Sequence, residues 1–431
     1  MITALLLTFC LSGAAFADNA TKGKLSIWLG WSGTEDAIKA AEKAFKKQYP
    51  NVNVELLTFS LRDFETKLAI AMPTGNGPDV MILHDFLLPR YIESNSMDAV
   101  PENLVKFTYN EDIIAKPYAV IVTRKGKPVA VPWWTGRNGL FYNLDHFKEA
   151  GLTDPPTTVK QMWEYAEKLV RKGPDGKLNR AGLTMRLSGS AGVTQKFGYL
   201  YYQAVGEQML ETGKKPGLVR VTLKDNIDVA AKVLLDRVTH LHGPKKVDDW
   251  ALKHDAQGFA SGAAAMLMRE SWVIPYVKKN GPNVNFGVVA QPRGDKSWGA
   301  FNFIVALAVN KDSKMKKAAW DFIRTMQTKE ALDSILFKSG WIPLRKDVDY
   351  SNILKKEPRI DAFLQTPAGY NQYLEPPNTA YIEVTTRVGD IISAAYRDAS
   401  LVNNLESAKK VIKKMHKGAE EILRDYDIYA E

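Results

Sequence analysis

The sequence predicts an α/β protein of two lobes, built from mostly parallel sheets flanked by helices. Three observations carry that expectation. The chain has 431 residues, too many for one ordinary hydrophobic core. Residues 24–85 alternate strand, helix, strand, helix and strand at the spacing of parallel crossover units. The same grammar returns from Phe301 onward, with no repeat or low-complexity linker between. The chain therefore crosses between the lobes several times. Hydrophobic residues at 45% and charged residues at 25% are ordinary for a globular protein, and no run of about 18 apolar residues marks an internal membrane span.

The elements follow in order. "MITALLLTFCLSGAAFA" is apolar and uncharged and ends in Ala15-Phe16-Ala17, so residues 1–17 read as a cleaved signal peptide. The single cysteine, Cys10, lies inside it and leaves with it, unless it is a lipidation site. A mature chain without thiols has no disulfide and no thiolate metal site. "KLSIWLGW" (24–31) reads as a buried strand, and "SGTE" (32–35) as a capping box in which Ser32 and Glu35 satisfy free amides at a helix start. Ile38, Ala41 and Phe45 stripe the helix, which stops at Tyr49-Pro50. "VNVELL" alternates as a strand. Leu61, Phe64, Leu68 and Met72 stripe a second helix ending before Pro73, and "DVMILHD" is a third strand after the turn "TGNGP". Binding sites in such sheets gather at the carboxyl ends of strands, which selects Trp31 and Asp85.

Next comes "VAVPWWTGRNGLFYN" (129–143). Successive residues of a strand face opposite ways, so Trp133 and Trp134 are not expected in one core layer, and Gly136 and Gly139 suggest a loose bend. Helices are expected at about 160–171, 195–209 and 226–240. "FNFIVALAVN" (301–310) is a buried strand. Met315, Ala319, Phe322, Ile323 and Met326 stripe one following helix, and Ala331, Leu332, Ile335 and Leu336 another.

The formal charge is +10, but the lysines come as scattered pairs. The densest run, "KKVIKKMHK" (409–417), carries a helical apolar stripe of Val411, Ile412 and Met415. Solvated helix faces explain this better than nucleic acid, which is not expected as a partner; an anionic membrane surface or acidic partner is a milder option. No HExxH, GxSxG, Walker A or GxGxxG pattern is present. His240 and His242 are two apart on a helix and point away from each other, so no metal or cofactor is expected. A distant pair of carboxylates of the glycosidase kind is the one catalytic pattern left open.

Aromatics are more informative. Of 10 tryptophans, Trp31, Trp133, Trp134, Trp272, Trp298 and Trp341 sit at loop junctions beside glycine or proline. Trp163 and Trp320 belong to helix cores. A flat indole suits the axial C–H face of a pyranose, while planar Asp, Glu, Asn and Arg groups bond its hydroxyls.

Five segments in order resemble the bacterial extracellular solute-binding proteins, the sugar-binding receptors of ABC importers that include the maltose-binding proteins. They are "FKKQYPNVNVE", "GNGPDVMILHD", "VPWWTGRNGLFYNLDHFKEAGLTDPPTT", "FASGAAAMLMRESW", and "AVNKDSKMKKAAWDFIRTMQTKEAL" with "SGWIPLRKDV". The resemblance implies a two-lobe periplasmic binding protein fold whose hinge is crossed three times and which closes on its ligand. One lobe is implied at 18–133 plus 299–339, the other at 136–296 plus 341–431. It implies a sugar platform at Trp272 and a hydroxyl acceptor at Asp85. Further cleft contacts are implied at Trp31, Arg345, Trp298 and Trp250, with Phe301 and Asn302 after the second crossing. Glu35 matches a ligand-contact junction, though capping suits it better. The doublet falls at the first crossing; one of Trp133 and Trp134 lines the cleft while the other anchors the strand, and either assignment fits. Arg137 and Asn138 lie beside it with polar reach. Glu270 departs from the family's small residue and is a candidate ligand contact that would fit an amino sugar or further hydroxyls; Arg137, a second candidate contact, stands near the family's usual acid, and Ala300 replaces a common glycine. Maltose itself is therefore not the expected ligand.

The reading is a periplasmic, monomeric, non-enzymatic receptor that binds a sugar or oligosaccharide and hands it to an ABC transporter permease. The alternatives are a binder of an acidic or phosphorylated sugar (uronate or glycerol-phosphate type), to which Arg137 and Arg345 would point, an exported carbohydrate-active enzyme, and a sensor's periplasmic partner.

Overall fold

The structure, a computed structural model, describes residues 18–110, 113–215, 217–249 and 254–431. The expected signal peptide with Cys10, and the candidate Trp250, lie outside the described residues.

Strands β1 (Gly23–Leu29), β2 (Val52–Thr58) and β3 (Val80–His84) pair in parallel, with β1 in the middle. Helices α1 (Glu35–Gln48) and α2 (Leu61–Ala71) make the two connections. The apolar stripe sets which face of α1 packs: Ala37, Ile38, Ala41 and Phe45 are buried, and Lys46 and Lys47 close the last turn, where cations suit the carbonyl end. The expected capping box does not form. The N-cap of α1 is Thr34, without a side-chain bond, and Glu35 instead folds back so that its Oε2 accepts from the Gly33 amide at 2.6 Å. Gly33 has φ +111°, and that turn carries Ser32 away from the helix axis. α2 does carry a cap, Ser60, which accepts from the Asp63 amide at 3.3 Å.

Six further strands complete the main sheet: β4 (Val131–Asn143), β5 (Met266–Glu270), β6 (Phe286–Ala290), β7 (Gly299–Val309), β8 (Ile342–Pro343) and β9 (Asn371–Tyr373). The order is β5-β4-β7-β3-β1-β2, with β6 and β8 also on β4 and β9 on β7. The sheet is mixed rather than mostly parallel. β4 runs antiparallel to β5, β6, β7 and β8, and β7 antiparallel to β3. The cause is the length of β4 and β7. Residues 131–137 of β4 pair with β7, whereas residues 138–143 pair with β5 and β6. β7 pairs with β3 through residues 305–309 and with β9 through residues 299–301. Two strands that run through both halves in opposite senses must lie antiparallel where they meet.

The middle of the chain is helical, as expected: α3 (Val159–Leu169), α4 (Ser190–Val205) and α5 (Ile227–His242). After β7, α6 (Lys316–Met326) buries Trp320, Phe322, Ile323 and Met326. The last two long helices, α7 (Tyr381–Arg397) and α8 (Leu405–Asp425), return to pack on α4 and α5. In α8 Ile412, Met415 and His416 face inward while Lys413, Lys414 and Lys417 are exposed, so the densest basic run is a solvated helix face. Each large apolar side chain buried this way contributes about 1.5–3 kcal/mol. No helix among the described residues is long and apolar enough to cross a membrane.

Candidate functional site

The tryptophan doublet lies where β4 meets β7. Trp134 is opposite Val305, but Pro132 is opposite Ala306, so the register shifts and Trp133 occupies a bulge. A bulge breaks strict two-residue alternation. Both indoles therefore enter the same core, contrary to the alternation argument: their ring centroids are 6.3 Å apart, and their exposures are 0% and 1%.

Trp134 builds an aromatic block. It stacks on Trp341 at 4.7 Å and 13°, and Trp31 meets it edge-on at 5.8 Å and 90°. Phe303 stands edge-on to Trp134 and Trp341, and His84 stacks on Phe303 at 4.6 Å. Gly136 is required by this block and does not loosen it. A Cβ there would lie 2.2 Å from the Phe303 ring and 2.9 Å from Trp341. Gly139 likewise makes room for Phe363. The indole N–H groups of Trp31, Trp133 and Trp134 are buried with no protein acceptor.

Asp85 follows β3 at the edge of the block. Its Oδ1 accepts from the Phe86 amide at 2.8 Å and contacts His84 Nδ1; its Oδ2 accepts from the Ile304 amide at 3.0 Å. The carboxylate thus ties β3 to β7. It also borders a small cavity with Phe86, Phe301, Glu375 and Tyr381. Burial pushes the Glu375 carboxyl up to about 7, helped by the charges of Asp85 and Glu211 and opposed by a hydrogen bond from Tyr381.

A second group surrounds Trp272, at the end of β5. Its Nε1 donates to Glu270 Oε2 at 3.1 Å, and the Arg269 guanidinium lies 5.2 Å from its ring. Glu270 pairs with Lys196 at 2.6 Å and with Arg269 at 3.3 Å; Arg269 also pairs with Asp255 at 3.0 Å. Lys196 Nζ donates to Asn138 Oδ1 at 3.4 Å, and Asn138 Nδ2 to Gln291 at 2.9 Å. Burial alone would raise the Glu270 carboxyl, but Lys196 and Arg269 outweigh it and hold the group well below the carboxylate range. Glu270 is accordingly a fixed anion that orients the Trp272 ring.

The remaining candidates are dispersed. Arg345 forms a two-pronged pair with Asp347 at 2.5 Å and donates to the Gln327 carbonyl at 3.2 Å. Arg137 donates to the Gln365 carbonyl at 3.0 Å. Trp298 donates to the Gln291 carbonyl at 2.7 Å and stands edge-on to Tyr370. Asn302 donates to the Tyr118 hydroxyl at 2.9 Å and to Gln372 at 3.0 Å. Side chains of these groups that the sequence does not single out as site residues include His84, Lys196, Arg269, Asp255, Phe303 and Trp341. Only Trp341 left a signal, following Gly340, whose φ of +75° makes a sharp corner. Among the described residues no group of His, Cys, Asp or Glu is arranged to hold a metal ion.

Comparison with known proteins gives a consistent picture. Residues 30–333 match the family profile described as bacterial extracellular solute-binding protein. A maltotriose-binding protein of Pyrococcus abyssi is 23% identical over 367 residues, covering 82% of this chain and 73% of the relative. A multiple sugar-binding protein of Streptococcus mutans is 24% identical, covering 84% and 82%. Among solved structures, an ABC substrate-binding protein from Listeria monocytogenes in complex with cycloalternan superposes with a TM-score of 0.76 at 18% identity, covering 95% of this chain and all 100% of that one. A solute-binding protein from Thermotoga lettingae bound with α-D-tagatose gives 0.74 at 20%, covering 94% and 100%. These likenesses establish the two-lobe fold.

Proposed function

The chain belongs to the bacterial extracellular solute-binding protein family, and from that premise we propose that it is the periplasmic carrier of an ABC importer, binding a sugar or oligosaccharide between its lobes. The lobe boundaries stated above stand as part of this proposal. The observation that carries it is the aromatic block at the β4–β7 crossing: half-buried Trp31 and Trp341 packed on the buried Trp134, with the Trp31 indole N–H left without a protein acceptor. Aromatic faces suit the C–H faces of sugar rings, and unpaired donors suit their hydroxyls. Similarity to proteins named for maltotriose and multiple sugars supports the ligand class.

The mechanism is a population shift. Ligand contacts contributed by both lobes favour the closed form by their differential binding energy, and a permease reads the relative position of the two lobe surfaces. No bond in the ligand changes, and the carrier acts as a monomer after loss of its leader. The test is tryptophan fluorescence and thermal unfolding against a broad carbohydrate panel and a panel of amino acids. A sugar that shifts both signals supports the reading. Shifts with amino acids alone, or with nothing, overturn it.

A further inference from the structure

Arg186 lies in the loop before α4, and its guanidinium packs across that helix's first turn. Cβ atoms at Gly189 and Gly192 would come within 2.7 Å and 2.5 Å of the Arg186 side chain, so the guanidinium lies directly over both. Its Nε donates to the Ser188 carbonyl at 2.7 Å. Neither nearby carboxylate pairs with it: Asp255 is held by Arg269, and Glu270 by Lys196 and Arg269. Asp390, at the same helix end, takes the Ser190 hydroxyl. α4 has no acidic residue in its first turn and no side-chain cap, so the positive helix end adds to the guanidinium.

A cavity of about 180 Å³ opens at this point, lined by Arg186, Ser188, His254, Asp255, Arg269 and Trp272. Two guanidiniums (Arg186, Arg269) and one carboxylate (Asp255) line it, and Glu270 behind them pairs with Lys196 and Arg269. Among the described residues the Arg186 guanidinium is left without a carboxylate, beside an indole wall. Of the basic residues the sequence points to for this purpose, Arg345 pairs with Asp347, and Arg137 donates to the Gln365 carbonyl and does not line this cavity. We propose that this cavity takes the carboxylate or phosphate of an acidic carbohydrate, with Arg186 gripping the anionic group and Trp272 walling the sugar ring. The proposal rests on the carrier reading above and narrows its ligand class.

The experiment is calorimetric titration of the protein with matched pairs: D-glucuronate against D-glucose, digalacturonate against galactobiose, and trehalose 6-phosphate against trehalose. The carboxylate pairs and the phosphate pair separate the two anion sources. At least one acidic member should bind roughly tenfold to hundredfold tighter than its neutral partner, with affinity falling as salt rises. Arg186→Gln should bring the acidic member's affinity down to that of its neutral partner, and Arg186→Lys should restore part of the preference. Neutral members binding as tightly as acidic ones, or a preference unchanged in Arg186→Gln, overturns the acidic class alone. No binding by any carbohydrate of a wider panel overturns the carrier reading, and this inference with it.

Discussion

Gly136 shows how tightly a single residue can be constrained. The 2.2 Å approach of a Cβ to Phe303 leaves no room for a methyl group, and overpacking of this kind costs about 1–3 kcal/mol. Gly136→Ala should therefore lower the unfolding midpoint, measured by denaturant titration, and alter Trp134–Trp341 fluorescence. The Arg237–Asp248 pair, 1% and 0% exposed, is a second such point. Asp248 also accepts from the Met185 amide at 3.2 Å and the Asp249 amide at 2.8 Å. Arg237→Met strands a buried anion and should cost about 3–5 kcal/mol, whereas replacing both partners with apolar residues should recover much of that loss. A double-mutant cycle reads the difference. Asp85 was chosen from its place at a strand end. The structure shows why a carboxylate suits that position independently of any ligand: it closes two backbone amides.

At the scale of elements, α3 starts with a side-chain cap at Thr158 and a return bond between Gln161 and the residue before it. Thr158 Oγ1 accepts from the Gln161 amide at 3.1 Å, and Gln161 Oε1 accepts from the Thr157 amide at 2.8 Å. Thr158→Ala should cost about 1 kcal/mol in unfolding free energy, with no effect on ligand affinity; a change below a few tenths would show that α3 is held by tertiary packing alone. The contrast with α1 is instructive. Its Ser-x-x-Glu pattern matches a capping box letter for letter, yet Thr34 is the N-cap. The pattern is local, whereas the turn at Gly33 that displaces Ser32 is set by the route of the chain from β1 into α1. Helix stripes were legible throughout because a spacing of three and four residues defines a face without reference to any partner. The sense of β4 and β7 was not legible, because strand direction depends on pairing between residues more than 150 positions apart.

For the whole molecule, two buried groups pull stability in opposite directions between about pH 4 and 7: Glu375, raised to about 7, favours the fold as pH falls, and His240 opposes it. Burial lowers His240 to about 4, where it stacks on Trp163 at 4.1 Å. The unfolded chain binds that proton near pH 6.5. Between those values the unfolded state holds more protons than the native state, so stability falls as pH drops from about 6.5 to about 4, by up to about 3 kcal/mol from this group. Denaturant unfolding at several pH values should show the wild-type chain losing stability relative to His240→Gln as pH falls over that window; a constant difference between the two would assign any acid sensitivity elsewhere. A bound sugar at a hundred times its dissociation constant should add about 2.7 kcal/mol to the whole fold.

By itself the sequence determined the alternation of strands and helices, the apolar face of each helix, the solvated character of the basic runs, and the ordered motifs of the family. These depend on short spacings and on segment order, both of which survive without knowledge of the fold. Only tertiary structure decided that Trp133 sits in a bulge, that Trp134 meets Trp341, that Arg345 pairs with Asp347, and that Arg186 meets a backbone carbonyl beside the Trp272 cavity. Each of those outcomes turns on which distant group arrives opposite a side chain, and residue spacing carries no information about that.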